Sequence, residues 1–196
     1  MFNVIAISRQ FGSGGRTVGR DAAKRLNIPC YDHELIEKVA TSSGFSKDYV
    51  ESQGEYANHR SWIGQALEHT GRFDCMSNQD KIWVEQRKII IELSKEPCVI
   101  VGRCADYILR DRKDVLRAFI HADDASRAER IVKLYGEKAD KPEKRLKDKD
   151  KRRAAYYRYY TDTDWGEAVN YHIALDSGVL GIDKCADILV NIYKSN

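Results

Sequence analysis

Gly12, Ser13, Gly14, Gly15, Arg16 and Thr17 follow the short apolar run Val4–Ile7 and open a stretch with helical spacing at Val18, Ala22 and Leu26. Strand, glycine turn and helix in that order suit one task, the holding of a phosphate. Glycines let successive backbone N–H groups curl around an anion without Cβ clashes. The N-terminus of the helix adds partial positive charge. A cation, Arg16, and a hydroxyl, Thr17, stand where such a loop places its charged and metal-facing groups. The match to G-x-x-x-x-G-K-[ST] is imperfect. Aligned on Gly15, Arg16 and Thr17, the first glycine falls on Gln10, and arginine replaces lysine.

Further cations recur at places a ligand can reach. Arg103 directly follows the strand-like P-C-V-I-V-G, where a planar guanidinium can fork onto a phosphate. Arg127 and Arg130 lie one helical turn apart after H-A-D-D. Arg145, Lys149, Arg152 and Tyr156 share i, i+4, i+7 spacing, with Arg153 beside them. That run reads either as a solvated helix of weak Asp–Lys pairs or as a lid whose cations close over phosphates. Arginines interleaved with tyrosines also suit single-stranded nucleic acid, but Asp148 and Asp150 inside the run argue against that partner. The five cysteines, Cys30, Cys75, Cys98, Cys104 and Cys185, never form a C-x-x-C pair. They read as reduced thiols, neither a zinc site nor a disulfide framework.

These residues need a scaffold. Apolar runs at Val4–Ile7, Ile28–Tyr31, Cys98–Val101, Leu116–Ile120 and His172–Leu175 read as strands. Helical faces lie between them, at Leu35/Ile36/Val39/Ala40, Ile82/Trp83/Ile89/Ile90/Leu93 and Ala128/Ile131/Val132. A last helix carries Ala186, Leu189, Val190 and Tyr193, with Asp183 as its cap. The alternation predicts an α/β fold with a parallel sheet buried on both faces. Ligands then belong at the carboxyl ends of the strands, where the glycine loop, Asp32, Gly102–Arg103 and Asp176 fall.

Two segments depart from this pattern. Residues 43–79 are polar, with Gly44, Gly54, Gly64 and Gly71, and read as a helical insertion with flexible joints. Residues 136–168 begin at Gly136, restart a helix at Pro142 with Asp140 or Lys141 before it, and are densely charged. Few apolar residues precede Tyr156, so this segment is expected to dock weakly and to move, mainly over 137–153, with Gly136 and Gly166 as hinges. The 196 residues, 42% hydrophobic and 32% charged with a formal net charge of +3, fit one domain. No run is long enough to span a bilayer, and no basic region precedes the first apolar run, which gives the expectation of a cytoplasmic protein with no membrane partner.

The opening I-S-R-Q-F-G-S-G-G-R-T-V-G-R and the following L-N-I-P-C-Y-D-H-E-L-I resemble the cytidylate kinase-like family of P-loop proteins. The resemblance continues through V-I-V-G-R-C-A-D-Y-I-L, F-I-H-A-D-D-A-S-R-A-E-R-I, Y-Y-R-Y-Y-T-D-T-D-W and N-Y-H-I-A-L-D-S-G-V-L-G-I-D. It implies a three-layer P-loop fold of the nucleoside monophosphate kinase type, with a five-stranded parallel sheet and helices on both faces. The single domain would divide into a core (1–31, 96–136, 169–196), an acceptor-binding insertion (32–95) and a lid (137–168).

By the same resemblance the activity is transfer of the γ-phosphoryl group of ATP to a nucleoside monophosphate, CMP or dCMP in the authentic cytidylate kinases. Gly12, Ser13, Gly14, Gly15, Arg16 and Thr17 would cradle the donor phosphates, with magnesium on the Thr17 hydroxyl. Arg103, Asp32 and Asp106 would serve the acceptor, Asp106 standing in G-R-C-A-D where authentic cytidylate kinases have G-R-D. Arg16, Arg130, Arg152 and Arg153 would be the catalytic cations. Asp150 with Arg153 is similar to the lid D-x-x-R. Two alternatives remain: a nucleotide-binding regulatory protein without turnover, and a kinase for another small phosphate acceptor.

Overall fold

Val4–Arg9 forms the central strand, β1, and all six of its residues are buried. The computed structural model describes residues 2–53 and 77–195. Cys30–Tyr31 (β2), Cys98–Val101 (β3), Val115–His121 (β4) and Ile173–Asp176 (β5) complete a five-stranded sheet in the order β2-β3-β1-β4-β5. Every pairing is parallel. The chain runs outward from β1 to β2, returns through β3, then crosses to β4 and β5. The direction of winding therefore reverses at the carboxyl end of β1, where open α/β sheets bind ligands.

The core follows from β1's period of two. Ile5 and Ile7 face α1 (Gly15–Leu26) and the last helix, α8 (Ile182–Lys194), through Val18, Ala22 and Leu189. Val4 and Ala6 face the other side, against Leu35 of α2 (His33–Ser43) and Ile90 of α4 (Asn78–Leu93). Both faces are apolar because both are covered, which is why the strand reads as a continuous run. The short α3 (Lys47–Gln53) packs beside α2 and α4 through Val50, Ile36 and Ile82. Ser77 caps α4 by accepting from Asp80 N at 3.1 Å, and Asp123 caps α6 (Asp124–Tyr135) by accepting from Ser126 N at 2.9 Å. One turn, α5 (Ala105–Ile108), follows β3. Gly54, Gly64, Gly71 and Cys75, read from sequence as joints of the insertion and as a thiol, lie outside the described residues.

Several expectations are corrected. The second strand spans only Cys30–Tyr31, because Pro29 has no N–H to give the ladder; its carbonyl still accepts from Val99 N at 2.9 Å. The fifth strand begins at Ile173 and not at His172. Asp183 does not cap α8: Gly181 occupies that position, and Asp183 lies in the first turn, paired with Arg25 of α1.

The largest correction concerns the charged segment. Residues Pro142–Thr161 form one 20-residue helix, α7, with Lys141 before the proline as the sequence suggested. Tyr156, Tyr157 and Thr161 are buried on its second half, and within 137–153 Leu146 and Arg153 are buried as well, so that stretch docks through more than the sequence suggested. Its inward face runs Leu146, Asp150, Arg153, Tyr157, at i, i+4, i+7, i+11. It is shifted by one residue from the face predicted through Arg145, Lys149, Arg152 and Tyr156, although Tyr156 is buried too. A shift of one residue turns a helical face by about 100°. Leu146 enters a small apolar cluster with Ala128 and Ile131 of α6, with Phe11 against it. Among the described residues, no helix is long and apolar enough to cross a membrane.

Candidate functional site

The loop after β1 is held at both ends before any ligand is considered. Gln10 N donates to Ile120 O at 3.0 Å, and Gln10 Oε1 accepts from Ala122 N at 3.2 Å. Ser13 turns back on Gln10 O through its N–H at 3.3 Å and its hydroxyl at 2.9 Å, and is fully buried. Gly12 and Gly14 adopt φ +78° and +77°, the left-handed region in which other side chains are strained. Neighbours also press on them: a Cβ on Gly14 would sit 2.2 Å from Ile182 Cδ1, and one on Gly12 would sit 2.9 Å from Ile131 Cγ2. Gly14 occupies the N-cap of α1, where it has no side chain to bond the first-turn N–H groups, and no acidic residue lies in that turn. The helix therefore begins with its donors and its positive end uncompensated, the arrangement that draws an anion.

A cleft of about 350 Å³ opens over this loop. Gly12, Gly14, Gly15, Arg16 and Thr17 line it, as does Arg153 of α7. Arg9, Phe11, Arg20, His33 and Tyr135 also line it, and sequence reasoning did not select them. Two of these had a signal: Arg20 is one turn beyond Arg16 on the same helix, and Arg9 is the last residue of the strand. Phe11, His33 and Tyr135 had none, because only the tertiary fold brings them there. Arg16 Nε lies 3.0 Å from Asp32 Oδ2, and Arg20 Nη2 lies 3.7 Å from the same oxygen.

The remaining predicted cations divide. Arg130 Nη1 donates to Gly12 O at 2.7 Å and so braces the loop from behind. Arg153, buried, donates from Nη1 to Arg9 O at 2.9 Å. Arg152 is exposed and does not line the cleft. Arg127, missed as a site residue, is buried and binds Phe11 O at 3.1 Å, Asp124 and Asp150. Asp150 in turn accepts from Phe11 N at 2.7 Å. The carboxylate on α7 and the guanidinium on α6 thus grip one residue of the loop by both of its backbone polar groups.

Arg103 and Asp106, predicted for the acceptor, do not line the cleft. They sit at the carboxyl end of β3 in a buried polar cluster. Arg103 is 6% exposed; Gln86 Nε2 donates to its carbonyl at 3.0 Å, and its Nη1 stands 3.5 Å from Gln86 Oε1. Tyr157 donates its hydroxyl to Asp106 Oδ2 at 2.8 Å. Burial and the facing carboxylate push the Tyr157 phenol well above its ordinary value, so it remains a donor. Tyr157→Phe is expected to cost about 1–2 kcal/mol in urea unfolding, because a buried carboxylate loses a partner; an unchanged midpoint would show that solvent replaces it. Burial, with the Asp32 charge second, pushes the Cys30 thiol up to about 12, and burial pushes Cys98 up to about 11, which disfavours the reactive thiolate at both.

Donors around a glycine loop on a five-stranded parallel sheet define a P-loop kinase fold. The cytidylate kinase-like family model matches residues 4–179, and the chain belongs to that family. Across 100% of both chains it is similar to an uncharacterized protein from Eubacterium ventriosum, at 27% identity and a TM-score of 0.74. It shares its fold with shikimate kinase from Acinetobacter baumannii solved with shikimate, at 15% identity and TM-score 0.54 over 100% of this chain and 95% of that one. The same holds for shikimate kinase from Bacteroides thetaiotaomicron, at 14% identity and TM-score 0.54 over 97% and 98%. No curated protein sequence matches the chain.

Proposed function

We propose that the protein is a kinase that transfers the γ-phosphoryl group of ATP to a nucleoside monophosphate, with CMP or dCMP first among acceptors. Family membership and fold support a small-molecule kinase. The observation that carries the phosphate-donor half of the reading is the cleft itself, with an uncapped helix N-terminus at its floor and Arg16, Arg20 and Arg153 in its walls, while the acceptor half rests on the family. Phosphoryl transfer asks little covalent chemistry of a protein; it asks alignment, charge stabilisation and exclusion of water. The backbone from Gly12 to Thr17 would hold the β- and γ-phosphates, and Arg16 would fork onto the transferring group. Arg153, already seated against Arg9 O, would meet charge that develops on the same group without reorganising. Arg130 acts by bracing the loop.

The donor set fits a triphosphate with its metal. Thr17 is exposed on the cleft, the first turn of the following helix has no side-chain cap, and no acidic cluster competes among the described residues. Thr17 Oγ would hold magnesium together with the phosphates, and the ion when bound would neutralise phosphate charge. The acceptor phosphate is ionised at neutral pH, so no strong general base is needed.

Arg103 is proposed as the acceptor-phosphate ligand, with Asp32 and Asp106 on the acceptor side. Arg103→Ala is expected to weaken acceptor binding by about 1.5 kcal/mol, the worth of a charge-assisted bond. ATP affinity should change little. Collapse of ATP affinity with acceptor affinity intact would move Arg103 to the donor side. The deciding experiment for the function is ADP release from ATP and magnesium with a panel of ribo- and deoxyribonucleoside monophosphates and shikimate. Fastest turnover with CMP or dCMP is expected. Turnover with another member reassigns the acceptor, and ATP binding without turnover on any of them favours a nucleotide-binding regulatory protein.

A further inference from the structure

Lysine is the usual cation of this loop pattern, and a compact ammonium on a flexible stem needs little aiming. A guanidinium is different. Its five N–H donors are fixed in a plane, and its value to a phosphate depends on which edge faces the anion. In this chain Arg16 is approached from its stem side, since Nε lies 3.0 Å from Asp32 Oδ2. The terminal Nη1 and Nη2 hold no hydrogen bond among the described residues, while the side chain is 36% exposed and lines the cleft.

Asp32 is itself placed oddly for an aspartate. It stands at the N-cap of α2, where its side chain would ordinarily bond the first-turn N–H groups, yet it makes no such bond. It is 7% exposed, and Oδ2 makes no hydrogen bond of good geometry, only the two ion-pair approaches from Arg16 and Arg20. A buried carboxylate that forgoes its helix must be held by cations or it is costly. We infer that Asp32 is a positioning residue for Arg16: it holds the guanidinium by Nε and presents the Nη1–Nη2 edge to a phosphate in the cleft. The inference rests on the phosphate-binding reading above and deepens it. Arg16 then does by geometry what lysine does by point charge, and Arg20, 3.7 Å from the same oxygen, flanks the aiming carboxylate.

The rival physical effect has the opposite sign. If Asp32 merely competed with phosphate for Arg16, or merely lowered the positive potential of the cleft, its removal would tighten anion binding. Calorimetric titration of ATP, with and without magnesium, and of inorganic tripolyphosphate decides between them, using the unmodified protein, Asp32→Asn, Arg16→Lys and the double variant. Each single change is expected to weaken ATP binding about tenfold, one charge-assisted bond in effect. The double variant is expected to be no weaker than the weaker single, because both changes remove one coupled contact. In the unmodified protein, tripolyphosphate should move the Arg16 Nη signals in heteronuclear NMR and leave the Nε signal, on the Asp32 side, nearly in place. This measurement needs no variant to fold. Equal or tighter ATP binding by Asp32→Asn, losses that multiply in the double variant, or a tripolyphosphate shift at Nε and not at Nη would each overturn the inference alone. Failure of the unmodified protein to bind either ATP or tripolyphosphate would overturn the phosphate-binding reading, and this inference with it.

Discussion

Replacing Asp150 by alanine is expected to cost the folded protein about 3 kcal/mol, a large share of the roughly 5–15 kcal/mol that holds a domain together. Arg127 opposite it has only 5% of its side chain exposed and would be left with the more exposed Asp124 as its remaining carboxylate. Phe11 N would lose its acceptor in the same step. Breaking a buried pair from one side costs more than the pair is worth, because the remaining charge stays desolvated. Arg127→Met with Asp150→Leu should recover only part of the loss: the Arg127 charge is no longer stranded, but buried Arg153 still loses its 3.9 Å approach to Asp150, and Phe11 loses both of its backbone partners. Urea unfolding of the three proteins checks this. A cost under about 0.5 kcal/mol for Asp150→Ala would show that the pair behaves as an exposed one. The consequence reaches the cleft: with Asp150 gone, the Phe11 backbone is held only through its carbonyl, and the phosphate loop should loosen in hydrogen exchange.

That pair also shows where sequence reading stops. β1, the glycine loop and α1 were legible because their signals are local: a continuous apolar run, φ-permissive glycines and helical spacing at Val18, Ala22 and Leu26. The parallel sheet was legible from alternation. Asp150 was singled out only with Arg153, for its resemblance to the lid D-x-x-R, and the two do approach at 3.9 Å; its hold on Phe11 was not legible, because within K-D-K-D-K-R-R it looks like one more solvated charge. Its partner Phe11 N is 139 residues away, and no periodicity carries that pairing. The same error turned α7. The face chosen from sequence, Arg145, Lys149, Arg152 and Tyr156, holds one fully buried member, Tyr156, whereas Arg152 is exposed and Arg145 and Lys149 are half-buried against Glu137. The first half of the helix is oriented by Leu146, with no exposure at all. One fully buried leucine outweighs such ion pairs, each worth a few tenths of a kcal/mol. Arg103 was placed correctly along the chain, at the end of β3, but its burial against Gln86 of α4 was invisible, as was the reach of His33 and Tyr135 into the cleft. The local part of the candidate site was readable, as were Arg130 of α6 and Arg153 of α7 as cations, but the contacts that seat them, and the residues His33 and Tyr135, were not.

Gly14→Asp is expected to lower ATP affinity by more than about 100-fold while leaving a folded protein. Three effects contribute, and their sizes differ. The φ of +77° is unfavourable for a side chain, but aspartate is among the residues that tolerate it, at a cost of about 1 kcal/mol. The added Cβ would meet Ile182 Cδ1 at 2.2 Å, a real clash but with the far end of a flexible side chain that can rotate away. Neither need unfold the domain. The added charge has the largest effect of the three. A carboxylate at the N-cap would bond the first-turn N–H groups itself, as an N-cap aspartate does. It would thereby fill the anion site and repel what remains of the phosphate. Gly14→Ala separates these contributions, since it carries at least as much backbone strain and the same Cβ clash without charge. It should cost ATP no more than about tenfold, with a similar fall in melting temperature. Titrating both variants with ATP and magnesium beside their thermal unfolding gives the comparison. If alanine and aspartate weaken ATP equally, loop shape and not anion competition governs the site. If neither weakens it, ATP binds elsewhere than at the N-terminus of α1.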